Sequence, residues 1–492
     1  MDTNFNKLPF DFAWWEIESN ILNKKGFEQK VKEVEIEHGK ENMLFKESSL
    51  FHVNYSLEGR EIESVVNVLI KDLYSNTKLR KDSTVNIRNA IKGILANAFL
   101  SYKVFEGSGF VRIKRGNTDY KTNKYNPNIT KRNLIDVLDR LEKNGWIEYY
   151  PAIYFEKRYK GKVKFDRFTS RYRFKWDIYA LLIVNQVGYK NLTYVSDSII
   201  LKGKDNPTSP KETIQLYRET DTTKQVRKDL AKYNALLTKN HDMIAGGVWD
   251  KKGRAIDFTN YTNRFYYRIF TRNNFKCHGR FYGHWIVQYP SEARKYVMFG
   301  GEPTRQLDYS NCLMHVAYSL INTYHHSEED LYDMVDEDRA WVKQFCTIAP
   351  NTKRLHSACR ETVKALGLNW NRQTENKAYR VATKVMETHE NIYHAFFYKG
   401  KDTGQILTWH ESAIANQVVM HFVNKGILIL VIHDGFMIEK KHSKELKDVM
   451  KKKWLHHFKR INKMPSLPRI KEDKHIIEIE NTLKDVSTFK HN

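Results

Sequence analysis

The segment Ile427-Leu428-Ile429-Leu430-Val431-Ile432-His433-Asp434-Gly435-Phe436-Met437-Ile438 constrains this chain most. Two apolar runs separated by a short polar interval predict two strands joined by a tight turn, with Asp434 at that turn. Asp-Gly is also favoured chemistry for an ordinary hairpin. The residue types alone therefore leave both a structural and a chemical role open for Asp434.

A second acid occupies a comparable place. Thr304-Arg305-Gln306-Leu307-Asp308-Tyr309-Ser310 reads as a short strand ending at Asp308, with Ser310 placed to cap a helix carrying Val316, Ala317, Leu320 and Ile321. Between the acids, Arg339 and Lys343 share one face of a predicted helix at i, i+4 spacing. Two-metal phosphoryl transfer needs two carboxylates converging on ions about 3.5–4 Å apart, beside cations that hold a triphosphate. The competing reading of Arg339 and Lys343 is a solvated face paired with Asp336, Glu337 and Asp338.

The net charge of +24, from 82 Lys and Arg against 58 Asp and Glu, points to a polyanionic partner. Basic residues are interleaved with acidic and aromatic ones along the whole length, which favours nucleic acid over a membrane surface. The four cysteines show neither CxxC spacing nor a zinc pattern, and they suit a reducing cytosol. The N-terminus lacks a basic start followed by an apolar run, and Ile178–Val184 and Ile427–Ile432 are too short to span a bilayer. A soluble, cytoplasmic protein is expected.

At 492 residues the chain should hold about three domains. Residues 1–84 form an N-terminal helical region whose role stays open, with Val65, Val66, Val68, Leu69 and Leu73 at helical spacing. Over 85–180 the pattern is helix, turn, helix and two strands. Thr130 caps a helix with Leu134, Val137, Leu138 and Leu141 on one face, Gly145 stops it, and a strand follows over Trp146–Tyr150. The cations Lys157, Arg158, Lys160, Lys162, Lys164, Arg167, Arg171 and Arg173 then alternate with aromatic residues. This stretch resembles a winged helix-turn-helix, whose basic hairpin would contact DNA phosphates. A solvated structural hairpin is the plainer alternative. Residues 181–222 read as a connector, most linker-like over 203–222, and 223–264 as a region built on one long polar helix. An α/β catalytic unit fills 265–492.

In their order and wording, three motifs resemble the palm and fingers of the family A DNA polymerases and of the single-subunit phage and mitochondrial RNA polymerases. Leu307-Asp308-Tyr309-Ser310-Asn311 is similar to the first palm motif, His433-Asp434 to the second, and Arg339 with Lys343 to the fingers helix. Upstream, Gly279-Arg280-Phe281, Gln288-Tyr289-Pro290 and Arg294 resemble the signals that precede the first palm motif. The resemblance covers roughly residues 270–440. It implies Asp308, Asp434 and Tyr309 at two Mg²⁺ ions, Arg339 and Lys343 on the nucleotide, and Arg280, Gln288, Arg294 and His433 along primer and template. Leu313 stands where the DNA enzymes carry a sugar-screening Glu, Asn351 where the fingers helix carries an aromatic residue, and Gly435 where the DNA enzymes carry a second acid.

The expected fold is α+β: a right-hand polymerase palm with reduced fingers and a helical thumb, preceded by the helical region and the winged-helix module. The expected function is template-directed nucleotidyl transfer, as a DNA polymerase in phage or mobile-element replication. A single-subunit RNA polymerase or primase is the nearest alternative. A non-enzymatic winged-helix replication initiator or regulator is the alternative from another class. Partners would be a DNA template with its primer or nascent strand, and nucleoside triphosphates, with no membrane.

Overall fold

In the computed structural model, residues 28, 29, 32, 49–51, 55–105, 110–113, 129–159, 162–188, 191–194, 198–204, 212–240, 244–249, 255–257, 264–289, 291–325, 330–396 and 402–473 are described. Most of 1–48 and all of 474–492 lie outside that set. The chain is mixed α and β and divides into two units, the first Met1–Asp197 with Asn260–Thr262, the second Ser198–Thr259 with Asn263–Asn492.

The first unit runs β1 (Ser49–Leu50), β2 (Tyr55–Leu57), α1 (Arg60–Leu73), α2 (Lys81–Phe105), β3 (Val111–Ile113), α3 (Lys131–Lys143), β4 (Ile147–Tyr150), β5 (Ile153–Tyr159), β6 (Lys162–Phe168), β7 (Ser170–Phe174), α4 (Trp176–Val184) and β8 (Leu192–Tyr194). Helical spacing puts Ile62, Val65, Val66, Leu69 and Leu73 of α1 on one buried face, while Val68 stays 46% exposed. In α3 the Thr130 hydroxyl accepts from Asn133 N at 3.3 Å, and Leu134, Val137, Leu138 and Leu141 are buried. Four strands pair in the order β1-β3-β7-β4, and β5 pairs antiparallel with β6 as a separate hairpin.

The second unit continues with β9 (Ile199–Gly203), β10 (Thr213–Ile214), α5 (Asp221–Lys239), β11 (Ile244–Trp249), β12 (Ala255–Asp257), β13 (Tyr267–Thr271), β14 (Asn274–Tyr282), α6 (Ser291–Arg294), β15 (Val297–Phe299) and β16 (Glu302–Tyr309). Then follow α7 (Cys312–Leu320), α8 (Arg339–Ile348), α9 (Leu355–Ala365), α10 (Arg372–Thr388), α11 (Glu390–Phe396), α12 (Thr403–Asn424), β17 (Ile429–Ile432), β18 (Gly435–Glu439), α13 (Ser443–Arg460) and β19 (Ile470–Asp473). The expected linker is structural at both ends. β9 pairs with β13 and β10, so 199–203 and 213–214 belong to a four-stranded sheet ordered β10-β9-β13-β14.

The larger sheet runs β12-β11-β15-β16-β18-β17, with β19 also on β16. Its last strand, β17, is apolar and buried throughout, so its unpaired carbonyls need donors. Two stacked tyrosines supply them: Tyr233 of α5 donates to Ile429 O at 2.7 Å and Tyr266 to Val431 O at 2.8 Å. The central helix α12 is buried on several sides and contacts β14, α7 and α13. At Gly279 (φ +84°) an added Cβ would fall 2.9 Å from Ser412 Oγ, so the glycine lets α12 approach β14 closely.

Candidate active site

Antiparallel pairing of β16 with β18 sets Asp308 opposite Gly435, and Tyr309 N donates to Asp434 O at 3.4 Å. Acids 126 positions apart thus become neighbours, Asp308 near the end of β16 and Asp434 in the turn that leads into β18. The turn residues are His433 and Asp434, with His433 in the left-handed region at φ +58°. Gly435 is the first residue of β18, and its role is spatial: a Cβ there would overlap Asp308 Oδ1. The Asp-Gly pair is therefore not the turn itself. The glycine makes room for the other carboxylate, and a second acid at 435 would displace it.

Electrostatics concentrates negative charge here. Burial pushes the Asp434 carboxyl up to about 7, helped by repulsion from Glu411 and then Asp308, while Arg280 pulls it down. Asp308 is also raised, chiefly by burial, against two Gln306 Nε2 contacts at 2.9 and 3.2 Å and the charges of Arg294 and Lys471. Arg280 grips Glu411 bidentately at 2.7 and 2.6 Å. Arg294, whose Nε donates to Tyr289 O at 3.1 Å, adds a positive charge that acts on both Asp308 and His433. The His433 imidazole is held below its ordinary value by burial and by Arg280.

Asp308, Asp434, Arg280, Arg294 and His433 therefore act on one another within a single neighbourhood. Arg339 borders it through Tyr332: its guanidinium lies 5.5 Å over that ring, and the phenol, raised mainly by burial, responds to both Asp434 and Asp330. Arg339 is held by Asp330 (2.7 Å) and Asp333 (3.2 Å), not by the acids just before it. Asp336, Glu337 and Asp338 reach across to Lys384, Arg380 and Lys377 of α10. Lys343 is exposed one turn along α8, and Gln288 is exposed at the end of the 3₁₀ turn Trp285–Val287.

Several expectations change. The Tyr309 phenol points away from Asp308 and donates to Met450 O at 2.8 Å against Trp454, so its side chain leaves the ligand set. Ser310 does not cap α7. Asn311, at φ +53°, is the N-cap residue, without a side-chain cap bond. In the first unit, Arg171 and Arg173 are buried in β7. Arg171 donates to Thr169 O, and Arg173 pairs with Glu148 at 2.7 Å and sits over the Phe110 ring. Neither can face a DNA duplex. Lys157, Arg158, Lys162, Lys164 and Arg167 lie on the backbone of the β5–β6 hairpin, but their side chains, and all of Lys160, fall outside the described residues.

Glu411 escaped the sequence reading, although a signal existed. It stands in the buried register of α12 with Leu407, Ile414, Ala415 and Val418, where an acid needs a partner. The donor set suits magnesium: oxygen ligands from two carboxylates, with room kept by Gly435, match an ion that keeps waters and substrate phosphates for its other positions. No cluster of three or more metal-ligating side chains occurs among the described residues.

No family model matches the chain, and no curated protein matches it. Among solved structures, the POL domain of Pol1 from M. smegmatis, in complex with DNA primer-template and dNTP, matches with a TM-score of 0.26 and 9% identity over 51% of each chain. The chain thus spans about half the length of that structure, and a superposition this loose carries no argument about fold or chemistry. No helix among the described residues is long and apolar enough to cross a membrane.

Proposed function

We propose that the second unit is a template-directed nucleotidyltransferase, a DNA polymerase acting on a DNA template and primer strand with nucleoside triphosphates. One observation carries the reading: Asp434, in the turn before β18, lies beside the β16 end that carries Asp308, and the glycine opposite Asp308 is the residue that leaves its carboxylate room. Carboxyls brought together in this way, with burial and neighbouring acids raising Asp434 to about 7, make a site that gains by binding a divalent cation.

Two Mg²⁺ ions on Asp308 and Asp434 would supply charge neutralisation of the attacking and leaving oxygens. The chain's own residues do the rest. Gln306 fixes the Asp308 carboxylate, and Glu411 holds Arg280 beside Asp434, where the guanidinium can meet the primer end. Arg294, whose charge acts on Asp308, would meet template or primer phosphate. Arg339 and Lys343 would hold the triphosphate, which requires Arg339 to exchange Asp330 and Asp333 for phosphate oxygens.

The test is incorporation on primed and unprimed DNA templates, offering dNTPs or rNTPs, by the wild type and Asp308→Asn. Magnesium-dependent extension of a primer with dNTPs is expected. Loss of the ligand should remove several kcal/mol of transition-state stabilisation, on the order of a thousandfold in rate. Strict rNTP dependence would move the assignment to an RNA polymerase or primase, for which Leu313 in place of a sugar-screening acid leaves room. A wild type inert with every template and nucleotide would leave a non-enzymatic DNA-binding initiator or regulator.

A further inference from the structure

The first unit carries an open basin of about 1040 Å³ that the proposed polymerase chemistry does not use. Its walls come from the α1–α2 connection, the start of α2 and the start of α3. Five cations line it, Lys78, Arg80, Lys131, Arg132 and Arg140, against Asp136 and Asp139. Lys78, Arg80 and Arg132 are exposed. Arg140 is committed to the fold: it pairs with Asp136 at 3.2 Å, donates to Leu73 O at 3.0 Å and covers the Tyr74 ring at 4.3 Å.

The placement of these charges costs the fold something. The first turn of a helix favours acids, yet α3 opens with Lys131 and Arg132 and has no acid there. An external polyanion at this end would offset that cost. Thr77, Ser83, Asn86 and Asn133 add uncharged hydrogen-bonding groups along the same walls.

We propose that this basin seats the phosphate backbone of duplex DNA, apart from the β5–β6 hairpin. Duplex is preferred to single strand because the only aromatic ring among the described residues of the lining, Tyr74, is 5% exposed, covered by Arg140 and tied through its hydroxyl to Asp136 at 2.6 Å. That lining offers no stacking platform for unpaired bases, and such platforms are what single-strand sites use. Phosphate contacts of this kind position a duplex without reading its sequence.

The test is equilibrium binding of a fluorescent DNA duplex to the full chain across a series of salt concentrations, comparing wild type with Lys78→Ala/Arg80→Ala/Arg132→Ala. These side chains are exposed, so folding should survive, and circular dichroism checks that it does. Removing three phosphate-neutralising cations should flatten the slope of log affinity against log salt by about 2.7, at roughly 0.9 per cation. A single strand of equal length should show no comparable change. The slope difference between wild type and triple variant does not depend on catalysis, so failure of the polymerase reading would not affect it. An unchanged slope in the triple variant, or an equal loss for the single strand, would overturn the proposal.

Discussion

The first unit has an aliphatic and aromatic core beneath α1, α2 and α3, the charged side chains buried among its described residues are the cations Lys92, Arg171 and Arg173, and of the chain's 19 histidines only His38 and His52 fall within it. The second unit buries imidazoles and a carboxylate as well. His284, His315, His410 and His457 are at most 7% exposed, Glu411 is 2% exposed, and Arg268 is buried with its guanidinium on Gly279 O at 2.6 Å. If the first unit presents cations to a partner, as proposed, the cations that do so can stay in water. Imidazoles buried in the neutral form make the stability of the second unit depend on pH.

The largest expected effect breaks the comparison at acid pH. Burial lowers His284, His315 and His457 to about 3 and His410 to about 4, below the ordinary imidazole value of 6.5. The unfolded chain therefore takes up protons first as pH falls. Stability is fully present above about pH 6.5 and is lost progressively toward pH 4 and 3. His410 and His457 also share one hydrogen bond of 2.8 Å, which cannot form once both are charged. Each group costs on the order of a few kcal/mol when protonated, and together they rival the stability of a whole domain. Hydrogen exchange between pH 7 and 4 should show amides of α7, α12 and α13 losing protection well before those of α1 and α3. Simultaneous loss in both units would remove the contrast.

A smaller effect sharpens it within the second unit. Glu411→Gln leaves the Arg280 charge without its partner and should cost about 3 kcal/mol, seen as a lower midpoint in urea. It should also lower the Asp434 pKa, since Glu411 is the foremost charge raising it. In the first unit, Thr130→Ala removes only a cap from α3 and should cost about 1 kcal/mol. Equal destabilisation by the two substitutions would mean that the buried ion pair contributes no more than a surface cap.

What the sequence revealed follows the same division. Local signals located α1, α3, β16 and the β17–β18 hairpin, because apolar periodicity and turn chemistry are properties of neighbouring residues. Asp308 and Asp434 were legible as strand-end and turn acids. Partnerships across the fold were not. Arg173 reads as an exposed face of an alternating strand, and only Glu148 and Phe110 reveal it as buried. Likewise β9 and β10 look like linker, since one is short and the other shorter, and only pairing with β13 makes them a sheet. The spatial role of Gly435 depends on Asp308, more than a hundred positions away.

The most direct measurement is Mn²⁺ binding, followed by the loss of the free-ion electron paramagnetic resonance signal, in the presence of a non-hydrolysable nucleotide. If Asp308 and Asp434 share the metal site, Asp308→Asn and Asp434→Asn should each weaken binding at least tenfold, and together by much less than the product of the two. Wild-type affinity in either single variant would contradict a metal site built on this strand pair.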